Sequence, residues 1–472
     1  MTDLAPVLAR LAQAHDRLRA DLVELASIPS VSADPAHAGD VRAAARWVEA
    51  RLGAAGPLAV RVLETPGSPV LYAEWLGAPG APTILVYGHY DVQPEDPVER
   101  WTSPPFEPTL RDGRLYGRGV SDDKGPLLVP IAVAEAFFAE RGGLPLNVKF
   151  LFEGEEEIGN RHLEEVLREH AALLAADVVV SADGAMWRID EPSITVASRG
   201  LCGLDVTVRG PGKDLHSGRH GGAVVNPLHA IAELVASLHD ADGRVAVEGF
   251  YDRVRELSAA ERAEIAALPF DEAAYLKQVG AAATAGERGY STLERQWTRP
   301  TIEVNGMWGG YRGPGQKTIV TAEAHAKLTC RLVPDQDPDA VTALVTRHLE
   351  RHVPKGAQLT VVPAGHGARP ASIARDHWVV RAAEAALERV CGVRPLVVRM
   401  GGTVPVAELL QRLLGIGTMY FSFATADEDF HAPNEFVRLH RLQEGLSAWA
   451  HLWENVGGNP VANSREPGAE SR

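Results

Sequence analysis

Several short segments combine residue types that could hold metal ions and move protons. Gly88-His89-Tyr90-Asp91 follows the apolar run Thr83–Tyr87. A His-x-Asp pair lets a carboxylate orient a metal-binding imidazole, although a histidine at a strand end serves packing equally well. Phe152-Glu153-Gly154-Glu155-Glu156-Glu157 sets carboxylates just past a second apolar run. A solvated acidic loop or a helix N-terminus would look the same. Val178-Val179-Val180-Ser181-Ala182-Asp183 repeats the pattern. In Ser121-Asp122-Asp123-Lys124-Gly125, Asp122 is also a possible helix N-cap. Asp427-Glu428-Asp429-Phe430-His431 follows the run Ile416–Phe421. Each segment is weak alone; five at one sheet edge point to shared chemistry. Two histidines with three or four carboxylates suit Zn²⁺ or Mn²⁺, and one carboxylate can bridge two ions about 3.5–4 Å apart. Water between such ions becomes a nucleophile near neutral pH, and a glutamate outside the ligand set can accept its proton.

The elements around these segments predict how they meet. Leucines at helical spacing make about 4–27 an amphipathic helix, and 40–52 a second helix with Asp40 as N-cap. The apolar strands 83–87, 147–152 and 177–180 alternate with helices at 125–139 and 162–175, the pattern of a buried, largely parallel sheet. Open sheets of this kind bind ligands at the carboxyl ends of their strands. The Asp112-Gly113 turn predicts a hairpin at 110–115 on that layer. After about residue 196 the texture changes. Segments 204–208 and 325–333 alternate apolar and polar residues, and helices at 227–239 and 338–352 would cover one face. The α/β pattern resumes with a helix at 377–390, a strand at 396–399, a helix after Gly402 and a closing helix at 436–454. The expected organisation is therefore 1–196 and 377–456 as an α/β catalytic domain with a mixed, mostly parallel sheet. Residues 197–376 are expected to form an inserted α+β domain with an antiparallel sheet, and the polar tail 457–472 is expected to be disordered.

The 472 residues include 47 Lys+Arg and 62 Asp+Glu, a formal charge of −15. The inserted segment carries 21 of each sign, so the whole excess lies on the catalytic part. That balance disfavours a nucleic-acid backbone or an anionic membrane as partner. No basic n-region precedes an apolar run at Met1-Thr2-Asp3-Leu4, and no stretch has the length of a membrane span; a cytoplasmic protein is expected. Cys202, Cys330 and Cys391 form no Cys-x-x-Cys pair and are expected as buried thiols. Gly310 to Thr318 nearly reads as a phosphate-binding loop, but Gln316 separates Gly315 from Lys317 and a strand is expected to follow.

The strings YGHYDVQP (87–94), LYGRGVSDDKGP (115–126), FEGEEEIGN (152–160), SAD (181–183), KDLHSGRHGG (213–222) and DEDFHAPNE (427–435) together resemble the M20 metallopeptidases. The resemblance is nearest to the cytosolic nonspecific dipeptidase and carnosinase branch, and it covers nearly the whole chain. It implies a zinc-exopeptidase type fold and two divalent ions per subunit, Zn²⁺ or Mn²⁺. One ion would be held by His89, Asp122 and Asp183, the other by Asp122, Glu157 and His431. Asp183 matches the family's dipeptidases and aminopeptidases. Asp91 would orient His89, and Glu156 would activate the bridging water and then protonate the leaving amine. The inserted domain resembles the family's lid or dimerisation domain, so a homodimer is expected, with His216 stabilising the oxyanion in the partner's site. Arg331 would clamp the C-terminal carboxylate of a small peptide, and Thr318 and Thr403 match substrate-contacting hydroxyls. Glu155 matches no acidic position of the family and is expected to be solvated.

One departure bears on specificity. The family's dipeptidases carry an acidic residue before Gly401-Gly402, where this chain has Met400. The leading expectation is hydrolysis of dipeptides. The alternatives are an N-acyl amino acid deacylase or desuccinylase with the same metals, and a non-catalytic homologue, which the complete ligand set and Glu156 disfavour.

Overall fold

The computed structural model describes residues 3–365 and 367–458. The polar tail lies outside the described residues from Asn459 on, while Gly457 still belongs to the closing helix. The chain divides into two compact units. The first comprises Met1–Ala197, Ser372–Val398 and Leu409–Arg472; the second comprises Ser198–Ala371 and Arg399–Glu408.

The first unit is built on an eight-stranded sheet. Its order is Ala59–Leu63, Val70–Trp75, Asn147–Glu153, Thr83–His89, Val178–Ser181, Thr418–Tyr420, Ser193–Thr195 and Leu396–Val398. The four strands from Asn147–Glu153 to Thr418–Tyr420 are parallel neighbours, so their carboxyl ends share one edge. The outer pairings to Val70–Trp75 and Ala59–Leu63 are antiparallel, which makes the sheet mixed. Ile84, Val86, Val148, Phe150, Val178 and Val180 are wholly buried, as a sheet covered on both faces requires. The helix Lys124–Arg141 is apolar almost all round and packs Phe137 against Trp453 of the helix Leu439–Gly457.

Several boundaries differ from the sequence expectation, each for a local reason. The first helix is two, Ala5–Gln13 and His15–Ala26. The Ala14 N–H bonds back only three residues, to Leu11, which tightens the turn and redirects the chain. Asp40 is not an N-cap; it sits in the first turn of Ala38–Ala54, paired with His37 at 2.8 Å. His170 interrupts the helix expected at 162–175. The hairpin Thr109–Arg111/Arg114–Tyr116 turns through left-handed Asp112 and Gly113 as foreseen. It pairs, however, with Phe436–Arg438 in a separate small sheet, so the closing segment begins as a strand.

The second unit has a four-stranded antiparallel sheet in the order Thr301–Gly309, Glu323–Leu332, Gly200–Arg209, Gln358–Pro363. Cys202, Leu204, Val206 and Val208 alternate onto the same buried face as Ala326, Leu328 and Cys330, beneath the helices Pro227–Ala236 and Pro338–His352. Cys202 and Cys330 are direct cross-strand neighbours and both are free thiols; Cys391 is only half-buried.

Candidate metal centre

The parallel strands deliver the site one residue at a time. His89 ends Thr83–His89 and is fully buried. Gly88 precedes it because a Cβ there would come within 2.7 Å of Asp123 Oδ2, which accepts the His89 backbone N–H at 3.0 Å. The neighbouring strand ends at Glu153. Gly154 then lies against the Tyr90 ring, where a Cβ would meet ring carbon at 2.4 Å. That close approach turns the chain into the short helix Glu156–Ile158. Buried Asp91 accepts the backbone N–H groups of Glu156 (3.3 Å) and Glu157 (3.1 Å) and the Ser32 hydroxyl (2.6 Å), and its Oδ1 lies 3.4 Å from His89 Nδ1. Asp91 therefore binds the glutamate turn as well as the histidine.

Asp122 stands at the centre. Its Oδ1 is 3.0 Å from His89 Nε2 and its Oδ2 is 3.0 Å from His431 Nε2. His431 Nε2 is also 3.2 Å from Glu157 Oε2. Two sets result, His89 with Asp122 and Asp183, and Asp122 with Glu157 and His431; the ligand atoms of each set lie within 4.8 Å of one another. His89 Nδ1 faces the Asp91 carbonyl at 3.1 Å, which leaves Nε2 directed at the carboxylates. A histidine fixed through Nδ1 and presenting Nε2 to anionic oxygens is arranged as metal ligands are.

The electrostatics mark a concentration of buried negative charge. Burial, with His89 opposing and Asp122 adding, lifts Asp183 to about 6. Burial and the carboxylates of Asp183 and Glu157 raise Glu156 well above the ordinary range, although His89 works against them. Hydrogen bonds to Asp122 and Glu157 raise His431 to about 10. Asp122, although buried, is held far below the usual range by His431 and His89. Five carboxylates around two histidines form an array that divalent cations would neutralise, so the donor set fits such ions.

Other groups in this arrangement carried no legible role in the sequence. Glu435, fully buried, accepts the N–H groups of Gly119 (2.9 Å), Ser121 (3.0 Å) and Asp122 (3.2 Å) and pairs with Arg118 at 2.7 Å. It thereby holds the segment presenting Asp122. Gln93 Nε2 donates to Glu157 Oε2 at 2.8 Å. Both lie inside strings already singled out, yet no spacing signals a bond to a residue 64 or 313 positions away. Glu155 corrects the expectation of a solvated side chain. It is buried and accepts from the Ser68 and His162 backbone N–H groups, with His162 Nδ1 2.8 Å away, because the turn after Gly154 points it inward.

The remaining expected residues lie in the second unit, as two pairs. His216 is exposed, and its Nδ1 accepts the Gly218 N–H at 3.0 Å. Thr318 is joined to the same turn, its carbonyl accepting the Ser217 N–H at 2.9 Å. Arg331 Nη1 donates to Thr403 Oγ1 at 2.9 Å. A strand, Ile319–Val320, follows Thr318, which excludes a phosphate-binding loop there.

A mixed α/β sheet with histidines and carboxylates gathered at its carboxyl edge defines a metal-dependent hydrolase. Residues 85–455 match the family model described as peptidase family M20/M25/M40, and the chain belongs to that family. It is 30 % identical over 434 residues to the Cys-Gly metallodipeptidase dug1 of Schizosaccharomyces pombe, covering 89 % of this chain and 91 % of the relative. It is 32 % identical over 389 residues to the human Beta-Ala-His dipeptidase, covering 82 % and 77 %. Among solved structures, an M20 family metallo-carboxypeptidase of Sulfolobus solfataricus superposes with a TM-score of 0.79 at 32 % identity, over 94 % of this chain and 99 % of the other. The chain is an M20-type metallopeptidase of the dipeptidase branch. No helix among the described residues is long and apolar enough to cross a membrane.

Proposed function

We propose that this protein hydrolyses the amide bond of dipeptides bearing a free C-terminal carboxylate. The observation that carries this reading is Asp122, whose two oxygens face His89 and His431, with Glu156 beside them. His89, Asp122 and Asp183 would hold one divalent ion and Asp122, Glu157 and His431 a second, Zn²⁺ or Mn²⁺. Such ions supply Lewis acidity and lower the pKa of water held between them. Glu156, outside both ligand sets, takes a proton from the attacking water and returns it to the leaving amine. Asp91 and Gln93 hold the glutamate turn in place. Arg331 with Thr403, and Thr318, receive the substrate's carboxylate end. His216, exposed, with its Nδ1 bonded to the Gly218 N–H of its own turn, serves the oxyanion in a partner subunit of a homodimer. The free, opposed thiols of Cys202 and Cys330 suit a reducing, cytoplasmic setting.

Met400 favours a second substrate class. No carboxylate precedes Gly401-Gly402 to bind a free amine, so N-acyl amino acids are alternative substrates for the same centre. A panel of dipeptides, tripeptides and N-acyl amino acids, with and without blocked N-termini, separates the two. The dipeptide reading requires turnover of unblocked dipeptides, lost on chelation and restored by Zn²⁺ or Mn²⁺. Turnover confined to the blocked set, or indifferent to chelator, refutes it.

A further inference from the structure

The second unit holds a cavity of about 600 Å³, walled in part by the helices Glu272–Val279 and Thr292–Trp297, which the proposed function uses only at Arg331. Four arginines line it, Arg199, Arg295, Arg299 and Arg331, against two glutamates, Glu287 and Glu303. Arg299 and Glu287 neutralise each other in a two-point ion pair at 2.7 and 2.8 Å. Arg295 directs its hydrogen bonds to the carbonyls of Glu287 and Ala285. Arg199 and Arg331 have no carboxylate within ion-pair distance among the described residues. Their recorded hydrogen bonds go instead to one short segment, Arg199 Nε to the Gly401 carbonyl at 2.9 Å and Arg331 Nη1 to Thr403 Oγ1 at 2.9 Å. Anchors two residues apart lie within about 7 Å. Burial and repulsion from Arg331, only partly opposed by Glu303, pull Arg199 down to about 10, an unusual value for a guanidinium. Two like charges confined in one cavity are costly unless an anion joins them.

We propose that Arg199 and Arg331 form a twin carboxylate site, Arg331 taking the α-carboxylate and Arg199 the side-chain carboxylate of a C-terminal aspartate or glutamate. The assignment of Arg331 rests on the proposed dipeptidase reading; the second carboxylate is the new element. By standard bond lengths the two carboxyl carbons of these residues are about 4–5 Å apart, compatible with guanidiniums anchored on neighbouring residues. A charge-assisted bidentate pair is worth about ten- to a hundredfold in discrimination.

The test compares kcat/KM for Ala-Glu and the isosteric, uncharged Ala-Gln on metal-loaded enzyme. The wild-type ratio should be about ten to a hundred, fall toward one in Arg199→Gln, and stay intermediate in Arg199→Lys. A wild-type ratio near one, or a ratio that survives Arg199→Gln while both rates fall together, overturns the proposal. Calorimetry with glutarate and butyrate on the metal-free wild-type protein needs neither a variant nor turnover. Glutarate binding at least tenfold tighter than butyrate supports the twin site even if no dipeptide is cleaved, in which case the dipeptidase reading alone fails. Dipeptide turnover with equal binding of the two acids overturns the twin site and leaves that reading standing.

Discussion

Glu435 offers the sharpest test of how the centre is held. Its carboxylate accepts from three backbone N–H groups, those of Gly119, Ser121 and Asp122, and pairs with Arg118, which is only 1 % exposed. Replacing Glu435 with alanine strands the Arg118 charge, which costs about 3–5 kcal/mol, and frees buried donors at about 1–3 kcal/mol for each that water does not reach. The expected loss is about 4–6 kcal/mol, a large part of a typical domain's stability. Glu435→Gln keeps the shape and one acceptor but not the charge, and should lose about 2–3 kcal/mol. Urea unfolding in chelator, followed by tryptophan fluorescence, reads the stability. Competition titration with Zn²⁺ or Mn²⁺ should show affinity reduced about 10–100-fold, since Asp122 is no longer fixed. Adding Arg118→Met to Glu435→Met should recover the part due to the stranded charge, because no buried ion is then left unpaired. A Glu435→Gln protein with unchanged unfolding midpoint and unchanged metal affinity would refute the view that this carboxylate organises the segment.

Three further outcomes are expected. Glu156→Gln should lower kcat by about 10²–10⁴ while metal content stays the same, since only proton transfer is removed; metal analysis beside single-turnover rates checks this, and retained turnover removes Glu156 from the role. His216→Ala should slow turnover without depleting metal, and mixing its subunits with Glu156→Gln subunits should restore part of the activity if the histidine acts across a dimer. Failure of the mixture to recover would mean that each subunit uses its own histidine. Burial, with Asp91 adding to it, raises Glu153 to about 7 from 4.5, so between those values the folded chain holds a proton that the unfolded chain has released. The stability that protonated Glu153 contributes to the metal-free protein is therefore full below about pH 4.5 and falls by about 3 kcal/mol as pH rises through 7. Urea midpoints at pH 5 and 8 should show a loss smaller by about that amount in Glu153→Gln than in the wild type, since Asp183 and Glu435, both raised to about 6, titrate in each protein.

The ligand-bearing segments were legible in the chain because each follows an apolar, strand-length run. Parallel strands in one sheet put all such ends on one edge, whatever lies between them. For that reason His89, Asp183, the glutamate run 153–157 and the segments bearing Asp122 and His431 could be picked out from one-dimensional pattern, and the resemblance singled out Glu157 as a ligand within the run. The alternation of 204–208 and 325–333 likewise revealed a half-buried sheet, because a period of two survives in sequence. Other features depend on contacts that no period records. Glu155 and Glu156 are adjacent and identical in type, yet one is turned into the Ser68–His162 contacts and the other toward the carboxylate cluster. The packing of Gly154 on Tyr90 decides the turn between them. Glu435 acquires its role from donors more than 300 residues away, and Arg199 comes near Arg331 because the strand it precedes pairs Leu201 with Arg331 and both arginines bond to the segment 401–403. Residue order alone dictates which groups could coordinate and roughly where the strands end. Packing sets which carboxylates are held and which charges find no carboxylate at ion-pair distance among the described residues. Those outcomes depend on distance and burial, which are properties of the packed chain rather than of its order.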